Sequence, residues 1–91
     1  ADGERRVYLV DDDDAIRRSA GFMLRTSGFT VRAYASGTEF LKEVKELGAG
    51  CVLLDVRMPG MDGLEVQQEL RGRGITYPVI VMTGHGDVGS P

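Results

Sequence analysis

Three apolar runs in this 91-residue sequence each end in a residue that can do chemistry. Val7-Tyr8-Leu9-Val10 runs into Asp11-Asp12, Cys51-Val52-Leu53-Leu54 into Asp55, and Val79-Ile80-Val81-Met82 into Thr83. If the runs are parallel strands of one sheet, all three endings lie on its carboxyl edge, where open α/β folds place their sites. Three carboxylates and a hydroxyl then converge from distant parts of the chain. Two carboxylates about 4 Å apart repel by roughly 4 kcal/mol at an effective dielectric of 20. The cluster is costly unless a cation offsets it or one group holds a proton. Magnesium suits it, because that ion favours oxygen ligands, keeps several waters and bridges carboxylates to phosphate. A carboxylate so placed can attack phosphorus and become an aspartyl phosphate, the metal neutralising charge on the phosphoryl oxygens. Thr83 offers a hydroxyl donor to a bound phosphoryl oxygen. Each piece alone has a plainer reading: four aspartates in a row make a solvated turn and helix cap, and Thr83 an ordinary strand ending. Their shared topological position is what favours a magnesium-dependent phosphoacceptor site.

The elements that must position these residues are legible in outline. Ala1 to Arg6 are polar and read as a frayed amino end. A strand at about residues 6–10 is a continuous apolar run suited to burial on both faces. Asp13 or Asp14 caps the next helix, placing negative charge at its positive end. Ile16, Ala20, Met23, Leu24 and Ser27 fall on one face of that helix, Arg17, Arg18 and Arg25 point elsewhere, and Gly28 closes it. Phe29, Val31 and Ala33 alternate with Thr30, Arg32 and Tyr34, which predicts an edge strand with the second set exposed. Ser36 opens a capping box with Glu39. Phe40, Leu41, Val44 and Leu47 form the stripe of a second helix, ended by Gly48 and Gly50. The third strand is Cys51 to Leu54, followed by an irregular segment, Val56 to Asp62. A third helix runs from about Leu64 to Arg71 with Leu64 and Leu70 as anchors, Gly72 and Gly74 break it, and Pro78 leads into the fourth strand. The order βαβαβαβ implies a parallel sheet with right-handed crossovers.

Bulk properties narrow the field. The length allows one domain, 1–91, with a small core. A hydrophobic content of 42% is too high for a disordered tail. A net charge of −3, with dispersed basic residues, gives no electrostatic ground for nucleic-acid binding. The single cysteine, Cys51, excludes an internal disulfide and a cysteine-rich zinc site, and its apolar setting reads as a buried core thiol. No run approaches the roughly 20 apolar residues of a membrane span, and no signal segment is visible. The expectation is a soluble, cytoplasmic protein.

The segments VYLVDDDDAIRRS at 7–19, CVLLDVRMPGMDGLE at 51–65 and PVIVMTGHGDV at 78–88 closely resemble the receiver domain of two-component response regulators. The DVRMPGMDGLE stretch is highly specific, and the TGHGDV ending looks most like the FixJ-like subset. The resemblance implies a flavodoxin-like (CheY-like), doubly wound parallel sheet of strand order 2-1-3-4. It implies that Asp55 is the phosphoacceptor, that Asp12 binds Mg2+ directly and Asp11 through metal-bound water, and that the backbone carbonyl of Arg57 adds a ligand. Thr83 becomes the switch hydroxyl. The phosphoryl donor is then a histidine kinase, or a small phosphodonor such as acetyl phosphate. Such a module is a phosphorelay signalling part and not an enzyme, beyond self-catalysed phosphoryl transfer and slow autodephosphorylation.

The resemblance also marks a departure. The family pattern continues past the fourth strand with a helix, a strand and a helix, about 30 residues at typical lengths. The expectation is a receiver truncated after the fourth strand, lacking the family lysine and the aromatic switch residue of strand five. Lys42 and Lys45 lie on the second helix and cannot replace that lysine; Arg57 and His85 do not match its position either. The fourth strand then has an unpaired apolar edge, which predicts homo-oligomers by strand pairing or exchange of elements. His85, between two glycines, reads as a surface residue. Two other functions compete. One is a magnesium-dependent phosphohydrolase with an aspartate nucleophile, disfavoured because Arg57 stands where its second carboxylate belongs. The other is a non-catalytic fragment that oligomerises or sequesters a kinase. No direct nucleic-acid or membrane contact is expected.

Overall fold

The structure, a computed structural model, describes residues 5–82. Arg6–Val10 forms strand β1, and Tyr8, Leu9 and Val10 are each 2% exposed or less. Helix α1 (Asp14–Thr26) follows, then β2 (Thr30–Tyr34) and α2 (Gly37–Glu43), which tightens into a 3₁₀ turn at Val44–Glu46. Strand β3 (Cys51–Asp55), helix α3 (Gly63–Gly72) and strand β4 (Val79–Met82) complete the described elements. The four strands are parallel and ordered β2-β1-β3-β4, the order implied by the resemblance. No helix of the described residues is long and apolar enough to cross a membrane.

Period-two alternation along the strands divides the core between the two faces of the sheet. Tyr8, Val10, Val52 and Leu54 point to the face covered by α2 and α3, where they meet Phe40, Leu41, Val44, Val66 and Leu70. Val7, Leu9 and Val31 point to the opposite face, under Ala20 and Leu24 of α1. The helix ends follow local chemistry. Asp13 is the cap of α1, its carboxylate accepting from the N–H groups of Ala15 and Ile16 at 2.9 and 3.3 Å. Gly28 lies just past the helix with φ 100°, a left-handed conformation that suits glycine.

Several expectations need correction. Met23 is 62% exposed and Ser27 is exposed, so the inward face of α1 is narrower than its apolar spacing suggested. Tyr34 is buried and Ala33 exposed, the reverse of the predicted alternation. The cause is α2: Phe40 packs its ring 5.4 Å from that of Tyr34 and covers this end of the edge strand. Leu47 is half-buried but lies beyond the helical residues, because the chain leaves the helix after Glu46. Cys51 is half-buried and not a core residue, since the α1 side of β3 is only partly covered. Helix α3 is anchored by Val66 and Leu70, whereas Leu64 is 53% exposed. Ser36 does cap α2, accepting from the Glu39 N–H at 3.1 Å. The reciprocal capping box belongs to α3, where Asp62 and Glu65 each accept from the other's backbone N–H at 2.9 Å. The spacing Asp62-x-x-Glu65 carries that signal in the sequence.

Candidate functional site

Strand register builds the site. Val10 pairs with Leu54 across β1 and β3, so the next residues, Asp11 and Asp55, fall side by side at the carboxyl edge. Asp55 is 0% exposed and Asp11 1%, while Asp12 is exposed. One carboxylate oxygen from each of Asp11, Asp12 and Asp55 lies within 4.8 Å of the others. At that separation two unit charges repel by roughly 3 kcal/mol at an effective dielectric of 20. Burying two of the three sharpens the need for positive charge.

Backbone groups orient the acids. The Asp13 N–H donates to Asp11 Oδ1 at 2.9 Å, and the Asp11 N–H donates to the Tyr34 carbonyl at 3.1 Å. The Arg57 N–H donates to Asp55 Oδ1 at 3.1 Å. Gly63, at the start of α3, lies against the same strand end. A Cβ there would sit 2.6 Å from the Asp55 carbonyl oxygen and 2.8 Å from the Val56 Cα. Only glycine lets the helix pack so closely behind Asp55. Met58, for which the sequence suggested no role, belongs to the loop that follows Asp55 and buries its side chain in the core.

The donor set tests the metal expectation. Among the described residues it consists of three carboxylates, the oxygen donors that a hard divalent cation prefers. Three carboxylates whose oxygens lie within 4.8 Å of one another are compatible with a single such ion between them. The residues fit the group. The structure thus brings Asp11, Asp12 and Asp55 together as anticipated and places the backbone of Arg57 beside them. Asp55 is paired in register with Met82; Thr83 and His85 lie outside the described residues. Sequence reasoning missed Arg17, whose Nη1 donates to the Asp11 carbonyl at 2.7 Å. The signal available was its spacing of three from Asp14, a helical ion-pair spacing at the rim of the site.

Comparison with known proteins fits this geometry. The response regulator receiver domain family matches residues 7–90. The transcriptional regulatory protein FixJ of Azorhizobium caulinodans is 51% identical over 82 residues, covering 90% of this chain and 39% of that protein. Full-length FixJ from B. japonicum superposes with a TM-score of 0.85 at 42% identity, covering 92% of this chain and 41% of that one. The response regulator TrrA from Thermotoga maritima, in complex with Mg2+ and BeF, superposes with a TM-score of 0.83 at 31% identity, covering 94% and 75%. The chain spans about two fifths of the length of the curated relatives it matches. With the parallel sheet in 2-1-3-4 order and the match over residues 7–90, the chain belongs to the response regulator receiver family of two-component systems.

Proposed function

We propose that the chain is a phosphoacceptor module that takes a phosphoryl group from a histidine kinase onto Asp55. The observation that carries this reading is the buried Asp55 carboxylate, set within 4.8 Å of Asp11 and Asp12 at one sheet edge. An Asp55 oxygen attacks the phosphorus of a phosphohistidine; the new O–P bond forms as the P–N bond breaks, and the imidazole nitrogen leaves as it takes a proton. Asp11, Asp12, Asp55 and the backbone carbonyl of Arg57 would hold Mg2+. That ion, when bound, neutralises the developing charge on the phosphoryl oxygens. The Arg57 N–H, by donating to Asp55 Oδ1, helps orient the carboxylate for attack. Thr83 is assigned the switch hydroxyl, donating to the phosphoryl group. The complex of Thermotoga TrrA with Mg2+ and BeF supports the metal assignment by analogy.

The reading places the protein in the cytoplasm, with a histidine kinase or acetyl phosphate as donor. It assigns these residues no direct nucleic-acid or membrane contact and no catalysis on a separate substrate. A second reading, a non-catalytic fragment that self-associates, is favoured by one observation: among the described residues β4 is an edge strand, with Ile80 54% exposed. Intact mass after incubation with acetyl phosphate and magnesium separates the two. A single phosphoryl adduct that requires magnesium and disappears in Asp55→Asn is the expected result. No adduct on the wild type would overturn the phosphoacceptor reading and leave the interaction fragment.

A further inference from the structure

We propose that Arg17 is a positioning residue of the acidic site, holding the turn between β1 and α1 in the shape that turns Asp11 and Asp12 toward Asp55. The inference rests on the magnesium-dependent reading above and goes beyond it. Asp11 and Asp12 stand on the turn between β1 and α1, and Asp55 on β3, so that turn must stay fixed while three like charges repel. Arg17 ties that turn at two points. Its Nη1 donates to the Asp11 carbonyl at 2.7 Å, and its Nη2 to Asp14 Oδ1 at 3.0 Å. Its own backbone N–H donates to the Asp13 carbonyl at 3.0 Å. One residue therefore braces the turn at Asp11, at the cap and in the first helical turn. Although an arginine on a surface helix, its side chain is only 20% exposed, in contrast to 71% for Arg18 beside it. The planar fork of a guanidinium reaches two acceptors at once with little freedom left to lose, which a lysine cannot do. The bond goes to a carbonyl, so Arg17 constrains Asp11 without occupying the carboxylate oxygens the site needs.

Electrostatics supplies a discriminating sign. A guanidinium beside a cation site opposes the cation, so removing a mere charge would tighten Mg2+ binding. Removing a brace loosens it, because the carboxylates must then be ordered as they converge. Isothermal titration of magnesium chloride into the full 91-residue chain distinguishes these outcomes, with thermal unfolding run in parallel. Arg17→Met, which keeps the length of the stem, is expected to weaken Mg2+ affinity about tenfold in protein that still folds. Arg17→Lys, which keeps the charge but reaches one acceptor, is expected to fall between the two. Unchanged or tighter Mg2+ binding in Arg17→Met overturns the proposal, as does a lowered melting temperature with wild-type affinity. Should Arg17→Met fail to fold, Arg17→Lys decides: wild-type affinity overturns the proposal and weaker affinity supports it. A wild type that binds no Mg2+ fails earlier, and counts against the metal reading itself.

Discussion

A tyrosine on an edge strand normally keeps its hydroxyl in water, yet Tyr34 is 7% exposed and donates that hydroxyl to Glu43 Oε1 at 2.9 Å. Burial, reinforced by the neighbouring Glu43 carboxylate, pushes its pKa up to about 12. The protonated form is therefore favoured by the fold. Stability from this group is fully present below the ordinary tyrosine pKa of about 10 and is lost as pH rises from there through about 12. Denaturant unfolding at pH 8 and near pH 11.5 is expected to show a stability advantage of wild type over Tyr34→Phe that shrinks by up to about 2 kcal/mol. A constant difference would mean that Tyr34 titrates alike in folded and unfolded chains. The same residue holds Asp11 through its carbonyl, so the edge strand and the acidic site are joined at one position. At this scale the sequence was partly legible. Asp11, Asp12 and Asp55 could be found because each stands at the end of an apolar run. Tyr34 was misplaced and Arg17 overlooked, because alternation and helical facing assume an average environment. Each is held by specific tertiary or local partners, Tyr34 by the Phe40 ring and the Glu43 carboxylate, Arg17 by the Asp11 carbonyl and Asp14.

The elements were legible where local rules act alone and blurred where tertiary packing overrides them. Strand β1, the Asp13 cap and the Gly28 stop follow from residues within a few positions. Leu64 and Val66 show the limit, since either suits a helix and only the placement of α3 against α2 decides that Val66 is the buried one. Its Cγ2 lies so near Gly37 that a Cβ on that glycine would come within 2.3 Å of it. Two glycines of α3 make a test of how tightly the helix is seated. Gly63→Ala forces a methyl against the backbone of Asp55 and Val56 and is expected to cost about 2 kcal/mol, and to slow phosphorylation by shifting the strand end. Gly72 has a helical backbone, and a methyl added there would meet no atom within 4 Å. Gly72→Ala is expected to be neutral or to stabilise by about 0.5 kcal/mol. Chemical denaturation of the two variants measures both. Equal effects would mean that the seating of α3 behind Asp55 is not what demands glycine at position 63.

Across the whole molecule the two faces of the sheet are unequally covered. Helices α2 and α3 close one face over β1 and β3, while α1 shields only the β1 and β2 side of the other. The fold class and strand order were legible because the alternation of strands and helices allows few topologies; the unequal cover was not, because it depends on where each helix lands. Among the described residues, the two edges of the sheet also differ. Strand β2 carries Arg32, 3.8 Å from Glu43, and exposed Thr30, the kind of charged and polar edge that discourages pairing. Strand β4 reads Val-Ile-Val-Met, with no charge along it and Ile80 turned to the less covered face. An unpaired apolar edge of this kind is a template for a second chain. The 91-residue chain is therefore expected to self-associate as its concentration rises, and sedimentation velocity measures it. Ile80→Lys adds charge at an exposed position, so it leaves the core intact and is expected to shift the chain toward monomer. The same change at Phe22, 71% exposed on α1, lies away from the edge and should leave association unaltered. If wild type stays monomeric, or if Phe22→Lys disperses the oligomer as well as Ile80→Lys does, strand pairing at β4 is not what joins the copies.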